Sequence, residues 1–241
     1  MSVENPLENV SKKETPEERE NIELEISEKA LIESLSSADF LKALKISGFE
    51  TYKSGYETSF KLYISKEGSM ELGEISKGGT DNMGEGPHEI ISQEREGLLQ
   101  EVSKGKVKDF AHLHFHPEPE GAIMPSEEDL IIMKQLDLDI EIICRIGTDK
   151  DIDALLLKLG KNIHPNELSD LVNCYYDELS KNGITNTSGR GDDATVQKIL
   201  RDNGVENVMI SYEFNRKTKK YTLSKESKEK IKKFGGLKIK I

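Results

Sequence analysis

His112-Leu113-His114-Phe115-His116-Pro117-Glu118-Pro119-Glu120-Gly121-Ala122-Ile123-Met124-Pro125-Ser126-Glu127-Glu128-Asp129 is the stretch that decides how this chain is read. Three of the five histidines fall here at alternate positions. Val107 to Ala111 precede them, so the segment reads as a strand leaving the core. On a strand, side chains at i and i+2 share a face, roughly 6–7 Å apart. His114 and His116 can therefore aim two imidazoles at one point. A Pro-rich loop follows, and then Ser126-x-x-Asp129 opens an apolar run. Brought back by the loop, Asp129 can add a carboxylate oxygen. Three protein ligands with one open position is the pattern of a catalytic rather than a structural zinc site.

A plainer reading accounts for part of this stretch. Ser126 to Asp129 is also a capping-box-like helix start before Leu130-Ile131-Ile132. Alternating histidines also suit a half-exposed strand face. Capping and ligation are compatible, since one helix start can place both side chains.

His-x-His-Pro, a short loop and Pro-Ser-x-x-Asp, in that order, resemble the JAMM (MPN-type) zinc metallopeptidase family. The resemblance implies that His114, His116 and Asp129 bind Zn2+ and that Ser126 helps to stabilise a developing oxyanion. It also implies a glutamate on an earlier strand as general acid/base. The family usually has seven residues between the second His and the Ser, whereas residues 117–125 make nine. Two extra residues in a surface loop cost little entropy, and the enlarged loop is expected to shape substrate entry.

The glutamate is sought upstream. Tyr56-Glu57-Thr58-Ser59-Phe60-Lys61-Leu62-Tyr63-Ile64 alternates, with Phe60, Leu62 and Ile64 on one face, and Met70 to Ile75 reads as its partner strand. The pair resembles the family's first hairpin, which makes Glu57 the candidate catalytic carboxylate. Glu71 and Glu74 are its rivals. By alternation Glu57 lies opposite Phe60, on a separate face unless the strand bulges. The family's glycine-rich continuation after the glutamate is absent here. His112 shares the face of His114 and His116 and reads as a neighbouring group rather than a ligand. His88 and His164 read as helix-start residues.

The remaining pattern predicts an α/β fold. A mixed, partly antiparallel sheet flanked by helices forms a JAMM/MPN-like core over residues 21–160, and an α+β appendage with a basic end follows over 161–241. Residues 1–20, polar and acidic with two prolines, read as a disordered arm. A strand over 22–26, a helix after Ser27 and a short helix from Asp39 to Ile46 ending near Gly48 open the core. After Asp129 come a helix, strands over 138–146 and 153–159, helices over 165–181 and 194–203, and strands over 205–214 and 220–223. Residues 78–87 read as a loop, and their glycines lack the Lys-Ser/Thr of a P-loop. A helix is expected over 89–102.

Composition narrows the function classes. The chain has 241 residues, of which 35% are hydrophobic and 33% charged, and no run approaches the ~20 apolar residues of a membrane span. The first residues lack the basic and apolar regions of a signal peptide. With only Cys144 and Cys174 there is no disulfide framework, and a cytoplasmic location is expected. The net charge is −11, yet from Arg216 onward eleven Lys/Arg face two Glu, so that end carries +9 and the rest −20. With aromatic interleaving limited to Tyr221 and Phe234, this basic end reads as a solvated surface rather than a nucleic-acid site.

The resemblance thus implies hydrolysis of an amide bond in a protein or peptide, with conjugates of ubiquitin-like modifiers as the substrate class. The alternative is a non-catalytic scaffold of the same fold. Phosphoesterases also use His-x-His, but their further spread of histidines and aspartates is not evident. A zinc deaminase would need Pro-Cys-x-x-Cys, which is absent.

Overall fold

A computed structural model describes residues 23–65, 70–73, 75–77, 106–117, 121–135, 138–159, 165–184 and 192–240. The arm expected at 1–20, the loop and helix expected over 78–102, Glu74, His88 and His164 lie outside these residues. No helix among the described residues is long and apolar enough to cross a membrane.

In chain order the elements are β1 (Glu23–Ile26), α1 (Glu28–Leu35), α2 (Ala38–Ser54), β2 (Thr58–Ser65), β3 (Met70–Leu72), β4 (Ser76–Lys77), β5 (Lys106–Phe115) and α3 (Glu127–Gln135). They continue with β6 (Ile140–Ile146), β7 (Ile152–Leu159), α4 (Pro165–Lys181), α5 (Asp193–Asp202), β8 (Val205–Asn215), β9 (Lys220–Leu223), α6 (Lys225–Phe234) and β10 (Leu237–Lys240). The class is α/β. The main sheet has the order β3-β2-β5-β6-β7-β8-β9, with β4 also on β2, while β1 and β10 pair separately. Among these pairings only β5–β6 is parallel. A parallel pair cannot be closed by a tight turn. The chain leaves β5 through the loop and α3 before returning as β6.

Strand alternation divides the sheet into two faces. Ala111, Leu113 and Phe115 of β5, Ile140, Ile142 and Cys144 of β6, and Phe60 and Leu62 of β2 point to the first. There they join Leu31, Leu35, Phe40 and Leu44 of α1 and α2 and Ile231 of α6 in one apolar cluster. Each fully buried Leu or Phe contributes about 1.5–3 kcal/mol. On the second face Ile143, Leu155, Leu157 and Val205 pack with Leu130 and Met133 of α3, Val172 and Tyr175 of α4, and Val196 and Leu200 of α5. Strand β6 is buried along its whole length, as expected for a strand covered on both sides.

Several elements depart from the pattern-based expectation. The helix expected to stop near Gly48 runs on to Ser54 and ends at Gly55, which adopts φ +71. Gly48 does not end the helix; it makes room. A Cβ there would lie 3.0 Å from Phe115 Cε1 and 3.3 Å from Ile152 Cδ1, so its smallness lets α2 approach the sheet. The partner strand expected over Met70–Ile75 is split into β3 and β4, both on β2. Between them the Gly73 N–H donates to the Lys61 carbonyl at 2.8 Å. The basic end holds two elements that the pattern did not show, α6 and β10. α6 is capped by the Ser224 hydroxyl, and β10 pairs antiparallel with β1. The boundary expected at residue 160 falls just after β7. The sheet runs across it, since β7 pairs with β8 from Ile152↔Tyr212 to Leu159↔Val205.

Candidate metal centre

The second face changes character over β2 and β5. The covering helices meet apolar side chains of β6, β7 and β8, whereas β5 presents His112 and His114, with His116 one residue past its end. His114 lies opposite Ser59 and Phe115 opposite Thr58. Continued by one residue, this antiparallel register brings Glu57 level with His116. Glu57 therefore needs no bulge to join the histidines, because the histidine face is the one opposite Phe60.

His114 Nε2 and His116 Nε2 are 3.0 Å apart. Asp129 Oδ1 lies 3.5 Å from His114 Nε2, and its Oδ2 3.9 Å from His116 Nε2. Three ligand atoms of a tetrahedral ion with bonds of about 2.0–2.1 Å would be spaced by roughly 3.3 Å. The donor set and its spacing could hold a metal ion. His114 is buried, and His116 and Asp129 are partly exposed, so the cluster opens toward solvent on one side.

Asp129 is placed by the start of α3. The Ser126 hydroxyl accepts from the Asp129 N–H at 3.1 Å, and Asp129 Oδ2 accepts from the Ser126 N–H at 2.6 Å. This is a reciprocal capping box with Asp in the third position. It leaves the Ser126 O–H proton available to donate. Ser126 thus caps, and the same cap orients the carboxylate toward the histidines.

Glu141, on the second face of β6, was not singled out in the sequence. It is 1% exposed and lies opposite His112 in the parallel register. Its Oε1 meets His114 Nδ1 at 2.9 Å and His112 Nδ1 at 3.0 Å. With His114 Nδ1–H donating to this carboxylate, Nε2 is left facing His116 and Asp129 as the nitrogen that a metal would take in place of a proton. His112, His114 and Glu141 are also close enough to hold an ion. Both imidazoles, however, meet one carboxylate oxygen at ordinary hydrogen-bond distance, which suits a shared acceptor. Glu141 Oε2 finds no hydrogen-bond partner among the described residues.

The electrostatics follow from this crowding. Burial acts to lower the His114 pKa, but Asp129, Glu141 and Glu57 together push it up to about 10. Burial acts to raise Asp129, and His114, His116 and the bonds from Ser126 hold it below the usual carboxylate range. Glu141 is likewise lowered, by His112 and His114 against its burial. A negative field strong enough to retain a proton on a buried imidazole is also one that attracts a divalent cation. Glu57 moves the other way. It is an exposed residue, yet desolvation at its carboxyl raises its pKa, as does Asp129, against the attraction of His114 and His112.

The structure thus brings His114, His116, Asp129 and Ser126 into one cluster and places Glu57 within electrostatic reach of it. It sets the rival Glu71 apart, for Glu71 pairs with Tyr63. That is four residues along β2 from Ser59, roughly 13 Å at about 3.3 Å per residue. Residues 118–120 of the long loop lie outside the described residues. No family model matches the chain, and no curated protein matches it.

Proposed function

We propose that the protein is a zinc-dependent hydrolase of amide bonds, of the JAMM (MPN-type) kind. Its substrate is a protein or peptide, and a conjugate of a ubiquitin-like modifier is the class that the resemblance implies. The observation that carries this reading is the convergence of His114 Nε2, His116 Nε2 and an Asp129 oxygen, with Glu141 holding His114 by its Nδ1.

Bound there, zinc would supply Lewis acidity, lowering the pKa of water toward about 7 and polarising a carbonyl. The chain's own groups do the rest. Glu57 takes a proton from the attacking water and returns it to the departing amine; desolvation at its carboxyl raises its pKa. The Ser126 hydroxyl, whose oxygen is engaged in the cap, turns its own proton toward the oxyanion. The presence of all three candidate ligands together, with Glu57 in register beside them, supports catalysis over the non-catalytic scaffold.

Elemental analysis of the wild type and of His116→Ala tests the metal. About one zinc per chain, sharply reduced in the variant, is expected; no zinc in either protein after reconstitution sinks the reading. Cleavage of ubiquitin-like conjugates by the zinc-loaded wild type then tests the reaction.

A further inference from the structure

We propose that the pair of buried Arg145 and half-buried Asp193 is a positioning device for the metal centre: it clamps the crossover loop at residues 121–123 and so sets how Asp129 faces His114 and His116. The inference rests on the metal reading above.

Arg145 shares the second face of β6 with Glu141, four residues away, and is 3% exposed. The register Phe115↔Cys144 puts it level with His116, where the chain leaves β5. Its Nη1 donates to the Gly121 carbonyl and, at 3.1 Å, to Asp193 Oδ1. Its Nη2 donates to Asp193 Oδ2 at 2.5 Å and to Asp153 Oδ2 at 3.0 Å. Asp193 Oδ1 in turn accepts from the Ile123 N–H at 3.0 Å. The two partners of one ion pair therefore hold the same short loop, one by its carbonyl and the other by its amide.

A buried ion pair is weak evidence of stabilisation, since desolvation offsets most of its attraction. Its geometry is another matter. The planar fork of arginine binds Asp193 through two parallel bonds and fixes direction. The burial of Ile123 and Met124 nearby anchors the loop without setting its register. Three residues beyond Ile123 stands Ser126, and the cap there aims Asp129. Asp193 is the first residue of α5, beyond residue 160. The C-terminal part of the chain thereby takes part in building the site.

The experiment compares zinc affinity, by competition with a chromogenic chelator, for the full-length wild type, Asp193→Asn and Asp153→Asn. Both variants remove a carboxylate charge from Arg145, and Asp193 also bonds the loop through the Ile123 N–H. Asp193→Asn is expected to weaken zinc binding about 10-fold or more, the size of effect seen when supporting groups around metal ligands are lost. Asp153→Asn should stay within about twofold. Amide exchange should show faster loss of protection at Ile123 in Asp193→Ala, which removes the acceptor of that N–H, and not in Asp153→Asn. If Asp193→Asn does not fold, Arg145→Lys takes its place; its single ammonium cannot reproduce the fork, and the same weakening is expected. Equal affinity in the wild type and the clamp variant, or equal weakening by Asp153→Asn, overturns the inference while leaving the metal site standing. A wild type that binds no zinc overturns the metal reading itself, and the clamp's role falls with it.

Discussion

The two faces of the sheet solve different problems with the same strands. On the first face, β2, β5, β6, β7 and β8 all turn apolar side chains toward α1, α2 and α6, and the cluster they form is continuous. On the second, the helices α3, α4 and α5 cover β6 to β8, while over β2 and β5 the face carries Ser59, Lys61, His112 and His114. A residue such as Phe115, Ile142 or Cys144 serves packing alone; His114, Glu141 and Arg145, each one position from one of these, serve geometry. Close packing resists volume change everywhere along its face. A polar cluster tolerates volume change better but fails when one charge or one donor loses its partner.

That contrast can be broken by exchanging the two kinds of damage. The largest expected effect is on turnover. Glu57→Gln keeps the shape of the side chain and removes the proton acceptor, and should lower turnover by about 10²- to 10⁴-fold. Zinc content and unfolding midpoint should be unchanged, as measured by elemental analysis and urea denaturation. A variant as active as the wild type would return Glu57 to the solvent. Phe115→Ala should do the reverse. Phe115 is fully buried against Gly48 of α2, and truncating such a ring costs about 3–5 kcal/mol, while the zinc stoichiometry of the folded fraction stays at the wild-type value. If zinc were lost in step with stability, the two faces would not be separable.

Glu141→Gln probes the boundary between the faces, since β6 belongs to both. Both imidazoles meet Oε1 alone; an amide keeps that one acceptor but carries no charge, and it puts a buried N–H donor where Oε2 has no partner, so it holds His112 and His114 less firmly. Zinc affinity should fall about 10- to 100-fold, read by chelator competition. An unchanged affinity would mean that the histidines are oriented by the backbone of β5 alone.

The same division explains what could be read from the sequence. Local periodicity is enough for β5, α3 and the helix over 165–181, because each carries its own alternation or stripe. The face of Glu57 is not legible in this way: alternation puts it opposite Phe60, and only the register between β2 and β5 shows that this is the histidine face. Nor are Glu141 and Arg145. In Ile140-Glu-Ile-Ile-Cys-Arg-Ile146 two charges at i and i+4 are equally consistent with an exposed face, and only the parallel pairing with β5 shows that they are buried. Gly48 reads as a stop because local rules weigh its helix propensity, not the ring of Phe115 that it admits. α6 escaped notice because its core contribution is mainly Ile231 among lysines and glutamates. Continuation of the sheet through β8 depends on a register between residues some fifty apart, which no local pattern carries.

The smallest expected effect on the fold belongs to Ser126, and it separates the two readings with which the motif began. Ser126→Ala removes the hydroxyl that accepts from the Asp129 N–H and should destabilise the protein by about 1 kcal/mol. Ser126→Gly is better tolerated as a cap and should cost only a few tenths of a kcal/mol. Neither replacement can donate to an oxyanion. If Ser126 only caps, turnover should follow stability, and the glycine variant should be close to wild type. If its proton also serves the reaction, both variants should lose about 10²-fold or more in turnover, despite their unequal stabilities and with zinc still bound. Turnover measured beside the urea midpoint for the pair decides between them, because the cap and the donor are the same oxygen and only the glycine variant spares one while removing the other.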